Sequence, residues 1–425
     1  MTKEYIVSIE LSGELIPVGK LESRDGLEAA FRYYGSYLSI PGIRPISLSL
    51  PLQEEAFSTS ATRIYFEGLL PEGFTRRSVA QWMHTSENDY LSLLYGLGRE
   101  CLGAVRISTE GDTPDASYER LTLDEVKKLA GEGAAKSAEM VVESHLSLTG
   151  ASGKAGLYYD SENGEWYFPK GTAPSTHIVK QSHVRLGGIV VNEQLTLMAA
   201  GKCGIDTAPC FIINTGEGSD SEILLASQRY DRSFAGSVKS INGMPAPLRL
   251  HQEDFAQALG IPAAEKYEAQ GQKRMKAMFE LLRKYSSDPI EDQLKLWDII
   301  IFNRLAGNTD GHVKNFSMLY APDMKGMRLA PAYDLVSTAV YPSCTRNMAF
   351  SIGGANSLDE ITRKSFADAA HEVGLGERIA MAHFDTIRNA FPGALDAAAE
   401  ELEVLGLPGC GKLKDMMMKI ATRVE

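Results

Sequence analysis

The sequence has 425 residues, 44% hydrophobic and 23% charged, with a formal net charge of −12 and an isoelectric point near 5.3. That length predicts two or three units with sizeable cores, and the acidic balance argues against a broad nucleic-acid grip by this chain alone. Five scattered cysteines without a CxxC pair exclude zinc-ribbon and disulfide-framework readings, and with neither an apolar run of transmembrane length nor a basic-then-apolar leader the expected location is cytoplasmic, away from membranes.

The chain opens with strand patterning. "YIVSIELSG" alternates apolar and polar residues up to a turn at Ser12-Gly13, and "FRYYGSYLSIPGIRPISLSLPL" holds further strand-like pieces. "ATRIYFEGLLPEGFTRRSVAQWM" predicts a helix on each side of a Leu-Pro-Glu-Gly break, and "ENDYLSLLYGLGRE" predicts another, ended by glycines. A polar, turn-rich stretch marks a boundary near residues 110–120. "GLYYDSENGEWYFPK" reads as a hairpin turning at Asn163-Gly164, "THIVK" as a short strand and "VVNEQLTLMAAGKCG" as a helix. "PCFIINTG" and "SEILLASQRYD" read as strands, and from about residue 232 the pattern becomes largely helical. A β-rich part followed by an α-rich part predicts an α+β chain of two lobes. The expected division is 1–115, 116–231 and 232–425.

Chemistry concentrates in "NTDGHVKNFSMLY", residues 308–320. Asp310 and Asn315 stand in the D-x-x-x-x-N spacing of a protein-kinase catalytic loop, where the Asp orients a substrate hydroxyl and the Asn holds Mg²⁺. A capping turn accounts for the same residue types. A strand, a turn at 323–326 and a second strand would return Asp334 to the level of Asn315, adding a second hard oxygen ligand. Upstream, Lys180 closes an apolar strand, as the phosphate-contacting lysine of a kinase does. "SLTGASGK" is glycine-rich but departs from the Walker A pattern at Leu148 and Ala155. Backbone amides of Gly150, Ala151 and Gly153 there suit phosphate; an ordinary flexible loop is the competing reading.

Taken with "PKGTAPSTHIVK", "NEQLTLMAAGKCGI", "QRYDR", "LRLHQEDFAQALG…KYEAQG" and "LAPAYDLVST", these stretches resemble the HipA-like serine/threonine kinases, the toxin half of bacterial type II toxin–antitoxin pairs. "FEGLLPEGFTRR" resembles that family's N-terminal subdomain, so the likeness covers nearly the whole chain. It implies a protein-kinase-like bilobal fold, with a β-rich N-lobe, an extra N-terminal subdomain and an all-helical C-lobe. It implies ATP and Mg²⁺ as cofactors, Asp310 as catalytic base, and Asn315 and Asp334 as metal ligands. The ATP- and phosphate-binding set it implies is Lys180, Gly150, Ala151, Ser152, Gly153, Lys154 and His312, with Gln228, Arg229 and Tyr230 at the adenine hinge. Ser147 falls at the position of autophosphorylation, where phosphate adds about −2 charge beside the loop. Ser152 and Gln228 depart from the family's usual Gln and Glu.

The resemblance further implies a protein substrate, with an aminoacyl-tRNA synthetase as the family's example. It also implies a HipB-like helix-turn-helix antitoxin as partner, with DNA reached only through that antitoxin. Two other functions remain compatible with the residues. A small-molecule phosphotransferase of the aminoglycoside or choline kinase type uses the same D-x-x-x-x-N and later Asp. A mainly antitoxin-binding co-repressor needs no catalysis.

Overall fold

The computed structural model of the protein describes residues 3–112, 115–131, 154–182, 186–407 and 409–423. Ser147, Gly150, Ala151, Ser152 and Gly153 lie outside the described residues. The chain divides into two compact units, one of Met1–Gln181, Ala226–Ala263 and Met318–Met327, the other of Ser182–Leu225, Ala264–Ser317 and Arg328–Glu425. Among the described residues no helix is long and apolar enough to cross a membrane.

The first unit begins with β1 (Lys3–Leu11), β2 (Glu14–Ser23), β3 (Ala29–Tyr33) and β4 (Val105–Ser108), in the order β3-β2-β1-β4. Ser12 and Gly13 both have positive φ, 48° and 93°, so the β1–β2 turn has the twist that suits flanking strands. Phe31 of β3 meets the Thr59–Glu67 helix: its amide donates to Thr62 Oγ1 at 3.0 Å, and its ring lies 5.4 Å from that of Phe66. Ser58 caps this helix by accepting from the Ala61 amide, and Asp89 caps the Tyr90–Leu97 helix through the Ser92 amide. The expected strands between residues 36 and 52 do not form; Gly35–Leu38 is one helical turn and the rest is turn and loop. Pro41, Pro45 and Pro51 remove the donors a ladder needs. Side chains tie the loop instead: the Ile46 amide donates to Tyr33 Oη, and Tyr33 Oη donates to the Leu50 carbonyl at 2.7 Å.

Next come β5 (Ala116–Leu121), β6 (Lys154–Asp160), β7 (Glu165–Gly171) and β8 (His177–Gln181), in the order β5-β7-β6-β8. The expected β6–β7 hairpin turns at Asn163-Gly164, where Gly164 has φ 69° and its amide donates to the Asp160 carbonyl. The expectation of helix from residue 232 fails over 232–254. Arg232–Ser233 pairs with Leu248–Arg249, and Ser240–Ile241 with Met244–Pro245. Asn242-Gly243, at φ 52° and 80°, is a hairpin turn, and two prolines follow it. Helix begins only at Phe255–Leu259, behind an Asp254–Gln257 capping box.

Cys210–Asn214 (β9), in the second unit, lies beside Ile223–Gln228 (β10), whose residues from Ala226 on count with the first unit. Helices span Ile189–Lys202, Arg274–Tyr285, Pro289–Ala306, Arg363–Val373, Glu377–Val404 and Cys410–Ala421. Trp297 anchors their core: it is fully buried, donates through Nε1 to the Ala380 carbonyl at 2.9 Å, and meets Phe279 and Phe366 edge-on. The helical half also carries a small hairpin, Asn347–Ile352 with Ala355–Ser357.

Candidate active site

The Pro289–Ala306 helix delivers the polar loop of residues 308–315. Asp288 caps its start, Pro289 occupies the first turn, and Gly307 ends it at φ 74°. The carbonyls left over at its end are taken by the segment after Asp334. Ser337 Oγ donates to the Ala306 carbonyl at 2.5 Å, and the Ala339 amide to the Gly307 carbonyl at 2.9 Å. The Thr309 amide donates to Thr338 Oγ1 at 2.7 Å. One helix terminus therefore fixes both the Asp310 loop and the segment that follows Asp334.

Within the loop, Asn308 Oδ1 accepts from the Asp310 amide, the His312 amide donates to the Asp310 carbonyl, and the Asn315 amide to the His312 carbonyl. Gly311 is packed so closely that an added Cβ would stand 2.8 Å from Asn303 Nδ2. Asp310 is exposed while His312 and Lys314 are buried. The Asp310 carboxylate accepts from the Tyr267 phenol at 2.5 Å, and the Tyr267 ring meets His312 edge-on at 5.2 Å. Tyr333 Oη donates to the Lys314 carbonyl at 2.9 Å and lies 2.7 Å from Ser317 Oγ, which seats the residue before Asp334.

Asn315 and Asp334 meet: Asn315 Nδ2 donates to Asp334 Oδ2 at 3.2 Å. With Nδ2 so engaged, Asn315 Oδ1 is buried and has no hydrogen-bond donor among the described residues. Asp334 itself holds φ 57°, a left-handed backbone that a non-glycine residue adopts at a cost of about 1–2 kcal/mol. A buried amide oxygen lacking a donor, beside a carboxylate, fits a hard cation. Among the described residues no group of three His, Cys, Asp or Glu forms a metal site. Two protein oxygens are nonetheless the usual complement for Mg²⁺, which keeps waters and takes phosphate oxygens.

In the first unit, β6 and β8 set Lys154 directly opposite Lys180. Gln228 is exposed at the end of β10, and the Tyr230 phenol donates to Gln252 Oε1. Arg229, between them, is held within the first unit. Its amide donates to the Thr176 carbonyl, its carbonyl accepts from the Arg232 amide, and its buried guanidinium binds Glu100 and Asp231. Arg229, Arg232 and Arg249 form a buried network with Glu10, Glu100 and Asp231. Burial works to raise the Glu100 pKa, but the guanidiniums of Arg232, Arg249 and Arg229 hold it down at about 2.

The family pattern described as the HipA-like C-terminal domain matches residues 146–395, and that of the HipA N-terminal domain matches residues 11–108. The chain belongs to the HipA family. Among its relatives, the putative kinase Y4mE of Sinorhizobium fredii is 34% identical over 88% of this chain and 86% of that protein. The serine/threonine-protein kinase toxin HipA of Shewanella oneidensis is 26% identical over 83% of this chain and 80% of that one. The solved structure of Shewanella oneidensis HipA with HipB and operator DNA matches at a TM-score of 0.80 and 23% identity, covering 98% of this chain and 97% of that one. That likeness carries the fold, which is the α+β, kinase-like bilobal class expected for HipA-like chains.

Two features of this HipA-like site escaped the sequence. Tyr267 lies within the quoted "KYEAQG" stretch, yet nothing in its spacing ties it to Asp310, 43 positions on. The left-handed backbone of Asp334 has no spacing signal either, although Asp is among the residues that tolerate it.

Proposed function

We propose that this HipA-like chain is an ATP-dependent serine/threonine-protein kinase and the toxin of a type II toxin–antitoxin pair. The observation that carries the reading is the Asn315–Asp334 pair, whose buried Oδ1 lacks a donor among the described residues, built onto the same helix end as Asp310. In this reading Asp310 accepts the proton of an acceptor hydroxyl as that oxygen bonds the γ-phosphorus. The bond from γ-phosphorus to the β–γ bridging oxygen breaks, and ADP leaves with that electron pair. Asn315 Oδ1 and Asp334 hold Mg²⁺, which supplies positive charge to offset that of the transferring phosphoryl group. Lys180 and Lys154 orient the phosphates together with Gly150, Ala151, Ser152 and Gly153, while His312 shapes the loop that carries Asp310. Gln228 and Tyr230 flank the adenine, and Ser147 is the site of self-phosphorylation. The functional parts divide as 1–115, 116–231 and 232–425.

A HipB-like helix-turn-helix antitoxin is the partner, and DNA is reached through it. The net charge of −12 suits a basic partner, and the Shewanella relative is described in complex with HipB and operator DNA. The substrate class is a protein hydroxyl, with an aminoacyl-tRNA synthetase first to be tried.

Incubating the full chain with radiolabelled ATP and bacterial lysate tests the reading. Protein-bound label is expected, with phosphate on Ser147 by mass spectrometry. Asp310→Gln is expected to abolish both, along with growth arrest, and to keep antitoxin binding. Label confined to small molecules would sink the protein-kinase claim in favour of a small-molecule phosphotransferase.

A further inference from the structure

The Tyr267 phenol donates to Asp310 Oδ1 at 2.5 Å, in the manner a serine or threonine hydroxyl must donate to a catalytic base before transfer. We infer that Tyr267 is the acceptor-site residue of this chain: its hydroxyl holds the place of the acceptor hydroxyl on Asp310 and is displaced when the acceptor binds. The inference rests on the kinase reading of Asp310.

Its surroundings are built for a side chain that moves on a fixed backbone. Glu268, the next residue, is tied down on every side. Its amide donates to the Ala349 carbonyl at 2.9 Å, one carboxylate oxygen accepts from the Ser351 amide and hydroxyl, and the other accepts from the Arg274 amide. Tyr267 itself is 47% exposed, so its ring can swing outward from Cβ without disturbing Glu268. When it does, the edge of His312 is uncovered beside Asp310. The acceptor that fits is a hydroxyl on an extended, exposed peptide segment, able to pass alongside an aromatic ring.

A competing internal hydroxyl raises the acceptor KM without changing kcat. A residue that positions Asp310 for chemistry would instead sustain kcat. Tyr267→Phe separates the two, because it keeps the ring against His312 and removes only the O–H. ADP release by the full chain with Mg²⁺-ATP is measured with water alone and with casein as acceptor. The expected result is an apparent KM for casein lowered about tenfold, the weight of one charge-assisted hydrogen bond, at unchanged kcat. Wild-type turnover with an unchanged or raised KM in the variant, or a fall in kcat, overturns the acceptor-site assignment and leaves the kinase reading standing. ADP release by neither protein, with water or with casein, overturns both.

Discussion

Asp334 carries two separable properties, a carboxylate and a left-handed backbone at φ 57°. Asn shares the backbone tolerance and lacks the charge; Ala lacks both. Asp334→Asn is therefore expected to lower ATP-dependent phosphorylation by about a hundredfold or more, with a urea midpoint close to wild type. Asp334→Ala is expected to lose the same activity and, in addition, about 1 kcal/mol of stability. Equal midpoints for the two variants would remove the backbone argument. The same residue shows how far the sequence alone reached. The pairing of Asn315 with Asp334 was legible because a short hairpin between them has only one way to fold back. The strain at Asp334 was not, since φ depends on the Tyr333 anchor to Lys314 and Ser317, a tertiary contact.

At the scale of elements, the segments readable in advance are those that carry their own punctuation. Asn163-Gly164 declares the β6–β7 hairpin, and glycines close the helix of "ENDYLSLLYGLGRE". Residues 36–52 misled because their apolar pieces are held by Tyr33 and Glu253 rather than by a ladder. The pairing of Arg229 was not legible because its partner Glu100 lies 129 positions away. Two buried carboxyls in these elements titrate in opposite senses. Glu100 stays ionised down to about 2, against an unfolded value of roughly 4.3, so its contribution is present above roughly pH 4.3 and fades as pH falls towards 2. Burial pushes Glu253 up to about 7, against hydrogen bonds from Ser47, Tyr320 and the Leu48 amide. Ionising it therefore costs stability between roughly pH 4.3 and 7. Urea unfolding from pH 3 to 9 checks both. Glu253→Gln should flatten the loss on the neutral side and leave pH 4 unchanged. Glu100→Gln should cost about 3–5 kcal/mol at pH 7, because it strands buried guanidiniums. A wild-type stability that is level between pH 4.5 and 8 would contradict the Glu253 assignment.

On the scale of the whole molecule, the first unit is assembled from three separate stretches of chain, Met1–Gln181, Ala226–Ala263 and Met318–Met327. Three buried arginines from the second stretch neutralise acids of which two, Glu10 and Glu100, belong to the first. A fragment of residues 1–115 keeps the sheet of β1 to β4 and loses those counter-charges. It is expected to lack a cooperative thermal transition by circular dichroism, while the full chain shows one; a sharp transition in the fragment would show that the arginines are dispensable to it. The same arrangement imposes a timetable on synthesis. Arg229, the first of the three arginines, leaves the ribosome 129 residues after Glu100, roughly 6–26 s later at bacterial elongation rates. For that interval the nascent amino-terminal part carries two acids whose counter-ions have not yet been made, and it stays open to chaperones and proteases until they arrive.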